Sequence, residues 1–206
     1  MFYKAIVFLP LVGAIAAGLF SLRKMDGAAV TVSIAGVCLS FILSCFAFGA
    51  IALGGEQVTI DVARWIGSGS FQAHWTLRFD TLTAVMLIVV TGVSSCVHIY
   101  SVGYMHNDKS IARFMAYLSM FTFAMLMLVS ADNLVQLFFG WEGVGVASYL
   151  LIGFWHQKET AHTAAMKAFV VNRVGDFGFV LGILAIFALT GSVSFDAIFE
   201  LSLIHI

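Results

Sequence analysis

Six apolar runs, each about as long as a bilayer is thick, dominate this sequence. A helix needs about 20 residues to cross the hydrocarbon core at about 1.5 Å per residue. With 61% hydrophobic and 10% charged residues among 206, the chain has too much apolar surface for a soluble domain, which is about 45–50% apolar and about 25% charged. We therefore predict an all-α polytopic membrane protein with a single membrane domain over residues 1–206. The runs cover roughly 5–22, 27–53, 79–103, 112–131, 133–155 and 164–189.

The first run has an alternative interpretation as a secretory signal peptide. Lys4 precedes it, and "AIAAG" offers small residues of the kind found at cleavage sites. We favour a membrane span, because the run is followed directly by "RK".

The basic residues predict how the spans are oriented. They concentrate in alternate loops, and loops rich in Lys and Arg normally face the cytoplasm. The N-terminus should therefore lie outside, and the loops 23–26, 104–112 and 156–163 should lie inside. The residues that carry this argument are Arg23, Lys24, Lys109, Arg113 and Lys158.

The loop from about 55 to 78 differs from the others. Apolar residues alternate with polar ones in "VTIDV" and again in "FQAHWTLRF", and Gly67 to Gly69 contribute "GSG" between them. Period-two alternation around a Gly-rich turn is typical of a β-hairpin. We expect the hairpin to lie on the outer membrane surface, with Trp65 and Trp75 at the interface.

Several chemistries have no support in the sequence. Cys38, Cys45 and Cys96 lie inside apolar runs without CxxC spacing, and they are best interpreted as core residues. No haem, iron–sulfur, zinc or Gly-rich nucleotide motif is present. A net charge of −1 gives no reason to expect nucleic-acid binding. We predict no cofactor or metal site here, so any redox chemistry takes place on another chain.

Glu142 interrupts the most apolar part of the fifth run. An ionisable residue at a helix centre costs about 2.5–3.5 kcal/mol to insert, although eleven Leu, Ile, Val and Phe residues between 133 and 155 offset that cost. Gly140, Gly143 and Ala147 share one helical face, and Glu142 points nearly opposite, with Gly145 one turn away. We favour a site that alternates between protonated and charged forms. The alternative is a permanent ion pair that fixes helix packing.

Other ionisable residues lie within the spans. In the sixth run, Arg173 and Asp176 are three apart and can pair, either structurally or on a proton path. Lys167 lies opposite Asp176 and either needs another partner or reaches the membrane surface. His98, in the third run, could relay protons or bond to a neighbouring helix. We expect Asp80 to cap the N-terminus of the third helix.

Longer motifs carry a family resemblance. "GWEGVGVASYLLIGFW" followed by "AAMKAFVVNRVGDFGF" resembles the antiporter-like subunit L of proton-translocating NADH–quinone oxidoreductase, respiratory complex I, whose mitochondrial counterpart is NADH dehydrogenase subunit 5. "LRFDTLTAVMLIVVTG", "HIYSVGYM", "RFMAYLSMF" and "ADNLVQLFFGWEG" are similar to the same family in the same order. The resemblance covers nearly the whole chain.

The resemblance implies a function. The chain would be the N-terminal part of a multi-pass subunit in the bacterial plasma membrane or mitochondrial inner membrane, surrounded by lipid and other membrane-arm subunits. It would translocate protons as part of an enzyme that passes electrons from NADH to quinone. NAD, FMN, iron–sulfur clusters and quinone would be bound by other subunits. Alternatives are a cation/proton antiporter subunit without a redox partner and a non-transporting scaffold.

The resemblance also implies roles for individual residues. Glu142 would communicate with a Lys on the helix after the sixth span, and Arg173 and Asp176 would lie near this pair. Family members are roughly three times longer, so that Lys lies outside this sequence. We expect the resemblance to end near Leu201 and residues 201–206 to include a non-native tail, because the final "SLIHI" looks unlike the family.

Overall fold

The computed structural model describes residues 2–69 and 71–205 and contains seven α-helices and two strands within them. Six helices are long and apolar enough to span a membrane, which confirms the predicted multi-pass architecture. A π-helical turn, Gly49–Leu53, extends the second, and α7 follows the last span. The elements are α1 (Phe2–Leu22), α2 (Asp26–Phe48), β1 (Val58–Ser68), β2 (Phe71–Phe79), α3 (Thr81–Tyr104), α4 (Ile111–Val129), α5 (Leu134–Ile152), α6 (Glu159–Thr190) and α7 (Phe195–His205).

Helices α1 to α4 form a cluster in which α4 contacts the other three, and α5 and α6 follow on one side, which leaves α6 at the edge. Helix α1 packs against α2 and α4, α2 against α3, α4 against α5, and α5 against α6. The main apolar core joins α1, the end of α2, the hairpin, α3 and α4, with Ile6, Ile51, Phe79, Leu87 and Leu126 fully buried. Helix α6 contributes little to that core and presents much of its surface outward. The α5–α6 contact is therefore an open seam at the edge of the bundle.

Helices α4 and α5 approach very closely along the predicted glycine face. A Cβ on Gly140 would lie 2.6 Å from the backbone N and Cα of Leu128, and one on Gly143 would lie 2.9 Å from Ala124 Cβ. Ala147 continues the same face and is fully buried. Small residues here let the two helices meet, and this contact turns the opposite face of α5 toward α6.

The segment between α2 and α3 is the predicted hairpin. Strands β1 and β2 pair antiparallel from Val58↔Phe79 to Ser68↔Phe71, with two register shifts. Strand β1 continues through Gly67 and Ser68, two residues into the "GSG" expected at the turn, and Gly69 takes the left-handed backbone conformation, with φ +58°. Trp65 and Trp75 lie 5.1 Å apart, centroid to centroid.

Polar side chains tie this hairpin to the start of α5. Asn133 caps the helix by accepting from Gln136 N at 2.9 Å, and its Nδ2 donates to the His74 carbonyl at 2.8 Å. The fully buried Gln136 accepts at Oε1 from Thr76 N at 3.0 Å. These bonds fix the outer end of α5 relative to strand β2.

Arg78, on strand β2 of the hairpin, lies close to three carboxylates. Its guanidinium lies 2.5 Å from Asp196, 3.5 Å from Asp80 and 3.6 Å from Asp132. Asp80 also accepts from Thr83 N at 2.8 Å, which confirms its predicted role as the α3 N-cap. Burial raises the pKa of Asp132, and the nearby Arg78 opposes that shift.

Candidate functional site

Glu142 lies at the middle of α5. Eight residues precede it in the helix and ten follow it, so at about 1.5 Å per residue it is about 12 Å from one end and about 15 Å from the other. Its side chain is 20% exposed and lies on the face opposite the glycines that contact α4. The carboxylate is therefore held at mid-membrane depth, directed at α6.

Arg173 on α6 is the partner of this carboxylate. Its Nη1 lies 2.7 Å from Glu142 Oε1 and 2.6 Å from Oε2, so one nitrogen donates to both oxygens. The resemblance implied only that Arg173 lies near Glu142, and the structure places the two side chains in direct contact. The residues alone predicted that Arg173 pairs with Asp176, but the closer carboxylate comes from the neighbouring helix.

Asp176 forms the second acidic part of the site. Its Oδ2 lies 3.7 Å from Arg173 Nη1, which confirms the predicted i,i+3 pair in a looser form. Its Oδ1 accepts from Trp141 Nε1 at 3.0 Å, and its side chain is only 9% exposed. Trp141 was not among the residues expected at this site. An indole N–H within a membrane span needs a hydrogen-bond acceptor, and that need could have identified it.

The charges at this site do not cancel. Glu142, Asp176 and Arg173 carry a net charge of −1 when all three are ionised. The site therefore holds one more carboxylate than its single guanidinium balances, and the two carboxylates compete for that cation.

A cavity of about 120 Å³ adjoins the charged groups. That is room for several water molecules, which need polar partners as well as space. Gly145 keeps the α5 side open, since a Cβ there would stand 3.8 Å from Asn172 Nδ2. The lining comprises Trp141, Glu142, Val144, Gly145, Ser148, Phe169, Asn172, Arg173 and Asp176.

His98 and Lys167 lie apart from this site. His98 is fully buried on α3, with Nδ1 2.8 Å from the Ser94 carbonyl and Nε2 3.0 Å from Ser119 Oγ. It thus connects α3 to α4, and its proton-relay role stays a prediction. Lys167 is exposed and makes no salt bridge to another described residue. Over residues 2–69 and 71–205, no three His, Cys, Asp or Glu residues group as metal ligands.

Comparison with known families gives two matches. Residues 65–115 match the family described as NADH-ubiquinone oxidoreductase (complex I), chain 5 N-terminus. Residues 131–205, which include the whole Glu142 site, match the family described as NADH:quinone oxidoreductase/Mrp antiporter, TM.

Similar individual proteins agree with the family matches. NADH-quinone oxidoreductase subunit L of Rickettsia typhi is 52% identical over 194 residues, covering 94% of this chain and 30% of the relative. NADH-ubiquinone oxidoreductase chain 5 of Arabidopsis thaliana is 54% identical over 200 residues, covering 96% of this chain and 29% of the relative. The chain therefore spans about 30% of the length of these relatives.

Solved structures show the same fold. A chain of the Mrp complex from Dietzia sp. DQ12-45-1b has a TM-score of 0.77 at 21% identity, covering 96% of this chain and 20% of that one. A chain of the membrane-bound sulfane sulfur reductase, an archaeal respiratory membrane complex, has a TM-score of 0.76 at 17% identity, covering 93% and 38% respectively.

Proposed function

Because this chain belongs to the family of antiporter-like membrane subunits of NADH–quinone oxidoreductase, we propose that it forms part of the membrane arm of such a complex. There it would translocate protons in step with electron transfer from NADH to quinone. Identity near 50% to proteins named as subunit L or chain 5 supports this proposal. NAD, FMN, iron–sulfur clusters and quinone would be bound by other subunits, and other membrane-arm subunits would surround this chain.

The observation that carries the proposal is the Glu142–Arg173 pair beside a polar cavity at mid-membrane depth. A proton that binds Glu142 removes the charge that holds Arg173 at 2.6 Å. Asp176, now 3.7 Å from the guanidinium, then becomes the stronger partner for Arg173. Loss of the proton restores the first pair. Proton uptake is thereby coupled to a small movement of one cation between two carboxylates.

A cation/proton antiporter subunit without a redox partner is the second candidate. The matched family description includes Mrp antiporters, and the fold is shared with the Mrp complex. At 21% identity that likeness shows the fold alone, whereas the relatives near 50% identity are named as oxidoreductase subunits. The first function is therefore favoured over the second.

The test replaces Glu142 in the full-length subunit within the assembled complex. Glu142→Gln keeps shape and hydrogen bonding but cannot alternate between charged and neutral forms. It should lower proton translocation and NADH–quinone turnover per assembled complex. Glu142→Asp keeps a carboxylate but shortens the side chain by about 1.5 Å, which lengthens the contact with Arg173 to about 4 Å and weakens it. Because the charge is retained, its defect should be milder than that of Glu142→Gln. Glu159→Gln, an exposed site in the first turn of α6, is the matched control.

The scaffold alternative predicts the reverse pattern. A permanent packing pair would make Glu142→Gln impair assembly, as seen on native gels, while turnover per assembled complex stays normal. An antiporter without a redox partner would lose sodium-driven proton exchange in vesicles and show no NADH-dependent proton movement at all. Either result would contradict the proposed function.

A further inference from the structure

A second cavity lies at the opposite end of α5 from the hairpin, where three helix ends meet. It has a volume of about 190 Å³ and is lined from α4, from the end of α5 and the loop after it, and from the first turns of α6. The side chains that matter are Arg113, Tyr117, Tyr149, Phe154, His156 and His162. His156 and His162 lie in the loop 156–163 and Arg113 directly follows the loop 104–112, whereas Tyr117 and Tyr149 lie further along α4 and α5. The distribution of basic residues assigns both loops to the inner membrane surface.

Arg113 has no carboxylate partner in the described part of the chain. None of the salt bridges there includes it. Its Nη2 donates over a long 3.4 Å to the Phe154 carbonyl, its guanidinium lies 4.8 Å from the centre of the Phe154 ring, and its Nε is buried without a protein acceptor. The ring contact holds the guanidinium in place while much of its hydrogen-bonding capacity stays unused.

Asp108, which shares a cavity lining with Arg113, already accepts hydrogen bonds from other donors. Asp108 accepts from Ser110 N at 2.8 Å and from Trp155 Nε1 at 2.9 Å. An adjoining cavity of about 400 Å³ includes Lys109, Arg113 and Lys158 with Asp108. That gives three cations against one carboxylate. The surroundings of Arg113 are therefore electropositive.

Two helix N-termini add to this positive field. Helix α4 begins at Ile111 and α6 at Glu159, so Arg113 and His162 both sit in first turns. The free N–H groups and the dipoles of such turns favour anions. Glu159 opposes the field at α6, but it is not part of the cavity lining.

We propose that this cavity binds a phosphate group, presented either by the headgroup of an anionic phospholipid at the inner membrane surface or as free inorganic phosphate. The Arg113 guanidinium would donate to two phosphate oxygens. The imidazoles of His156 and His162 and the phenol hydroxyls of Tyr117 and Tyr149 are donors for the remaining oxygens. Basic pockets between helices on the cytoplasmic side commonly bind lipid headgroups.

The test uses the full-length subunit in its assembled complex, reconstituted into nanodiscs of phosphatidylcholine. Trace photoreactive phosphatidylglycerol, or photoreactive phosphatidylcholine as a control, is added and activated. Labelled peptides are then quantified by mass spectrometry. We expect labelling of peptides from 111–117 and 149–162 to be at least about tenfold higher with phosphatidylglycerol than with phosphatidylcholine. A charge-assisted hydrogen bond contributes about enough free energy for a preference of this size. Arg113→Gln should abolish that preference.

Arg23→Gln makes the same substitution at an exposed arginine on the same predicted side, and it should leave the labelling unchanged. His162→Gln provides a second variant, at an exposed position in a helical first turn, if Arg113→Gln fails to assemble. It should reduce the preference for phosphatidylglycerol several-fold.

A separate arm distinguishes the source of the phosphate. Millimolar inorganic phosphate is added to the complex in phosphatidylcholine alone, and the unfolding temperature is compared with that in chloride. A rise that Arg113→Gln removes and Arg23→Gln retains, without preferential lipid labelling, identifies free phosphate as the ligand. If the wild type shows neither a phosphatidylglycerol preference nor a phosphate-dependent rise, the proposal is overturned.

Discussion

Gly140→Ala tests the close approach of α4 and α5 that directs Glu142 toward α6. The new Cβ would lie 2.6 Å from Leu128 N and Cα and 2.7 Å from its Cβ. Carbon atoms are at their optimum separation at about 3.5–4.0 Å, so α5 must retreat by about 1 Å. Two of these three neighbours are backbone atoms, which cannot rotate away. Overpacking of this kind costs about 1–3 kcal/mol, and we expect the free energy of unfolding to fall by that amount.

Two other glycines calibrate the measurement. A Cβ on Gly143 would lie 2.9 Å from a side-chain methyl of Ala124, so Gly143→Ala should destabilise less. A Cβ on Gly178 in α6 meets nothing within 4 Å, and Gly178→Ala should be neutral or stabilise by up to about 1 kcal/mol through helix propensity. Gly140→Ala and Gly178→Ala should therefore differ by about 1–4 kcal/mol.

The assay is reversible unfolding in mixed micelles, with sodium dodecyl sulfate as the denaturant and circular dichroism as the readout. The expected order of stability, from highest to lowest, is Gly178→Ala, then Gly143→Ala, then Gly140→Ala. Equal unfolding free energies for Gly140→Ala and Gly178→Ala would show that α4 and α5 do not meet at this distance, and the orientation argued for Glu142 would lose its basis.

Two further predictions concern the hydrogen bonds of Asp108 and the orientation of the chain in the membrane. Hydrogen bonds from the Trp155 indole and the Ser110 amide hold the pKa of Asp108 below its usual value. The ionised carboxylate therefore stabilises the fold at neutral pH. This contribution is lost as the pH falls through the lowered pKa. Trp155→Phe should raise the Asp108 pKa toward that of an unperturbed aspartate, as measured by carboxyl carbon NMR. An unchanged titration would contradict the role given to the indole. In a chain lacking Cys38, Cys45 and Cys96, Ser68→Cys should react with an impermeant thiol reagent from outside and Asp108→Cys only after permeabilisation, whereas the opposite pattern would invert the proposed orientation.

Local patterns predicted much of the fold. Each span is visible as an apolar run of sufficient length, and the hairpin as period-two alternation with Trp75 and Phe79 on its inner face. The Asp80 cap was also predictable, because a cap depends on residues three positions apart. The spans, the hairpin and the cap each depend on residues that are close together in the sequence, so local composition and spacing are enough to predict them.

Contacts between helices were predicted less well. The Glu142–Arg173 pair depends on the rotation and depth of α6 relative to α5, and neither is set by the pattern of one helix alone. The sequence argument placed both residues in the membrane and missed their direct contact. The Arg113 cavity was missed for the same reason, since three separate chain segments form it.

The central position of Glu142 has an electrical consequence. A proton that reaches it from either surface, about 12 Å or about 15 Å along the helix axis, crosses roughly half of the membrane voltage. A full crossing is worth about 2.3 kcal/mol per 100 mV, so this half crossing is worth about 1.2 kcal/mol. That energy corresponds to about a sevenfold change, per 100 mV, in the apparent affinity of a site at this depth for a proton from one side. Under the proposed function, proton loading of this carboxylate from the negative side would therefore become harder as the membrane potential grows.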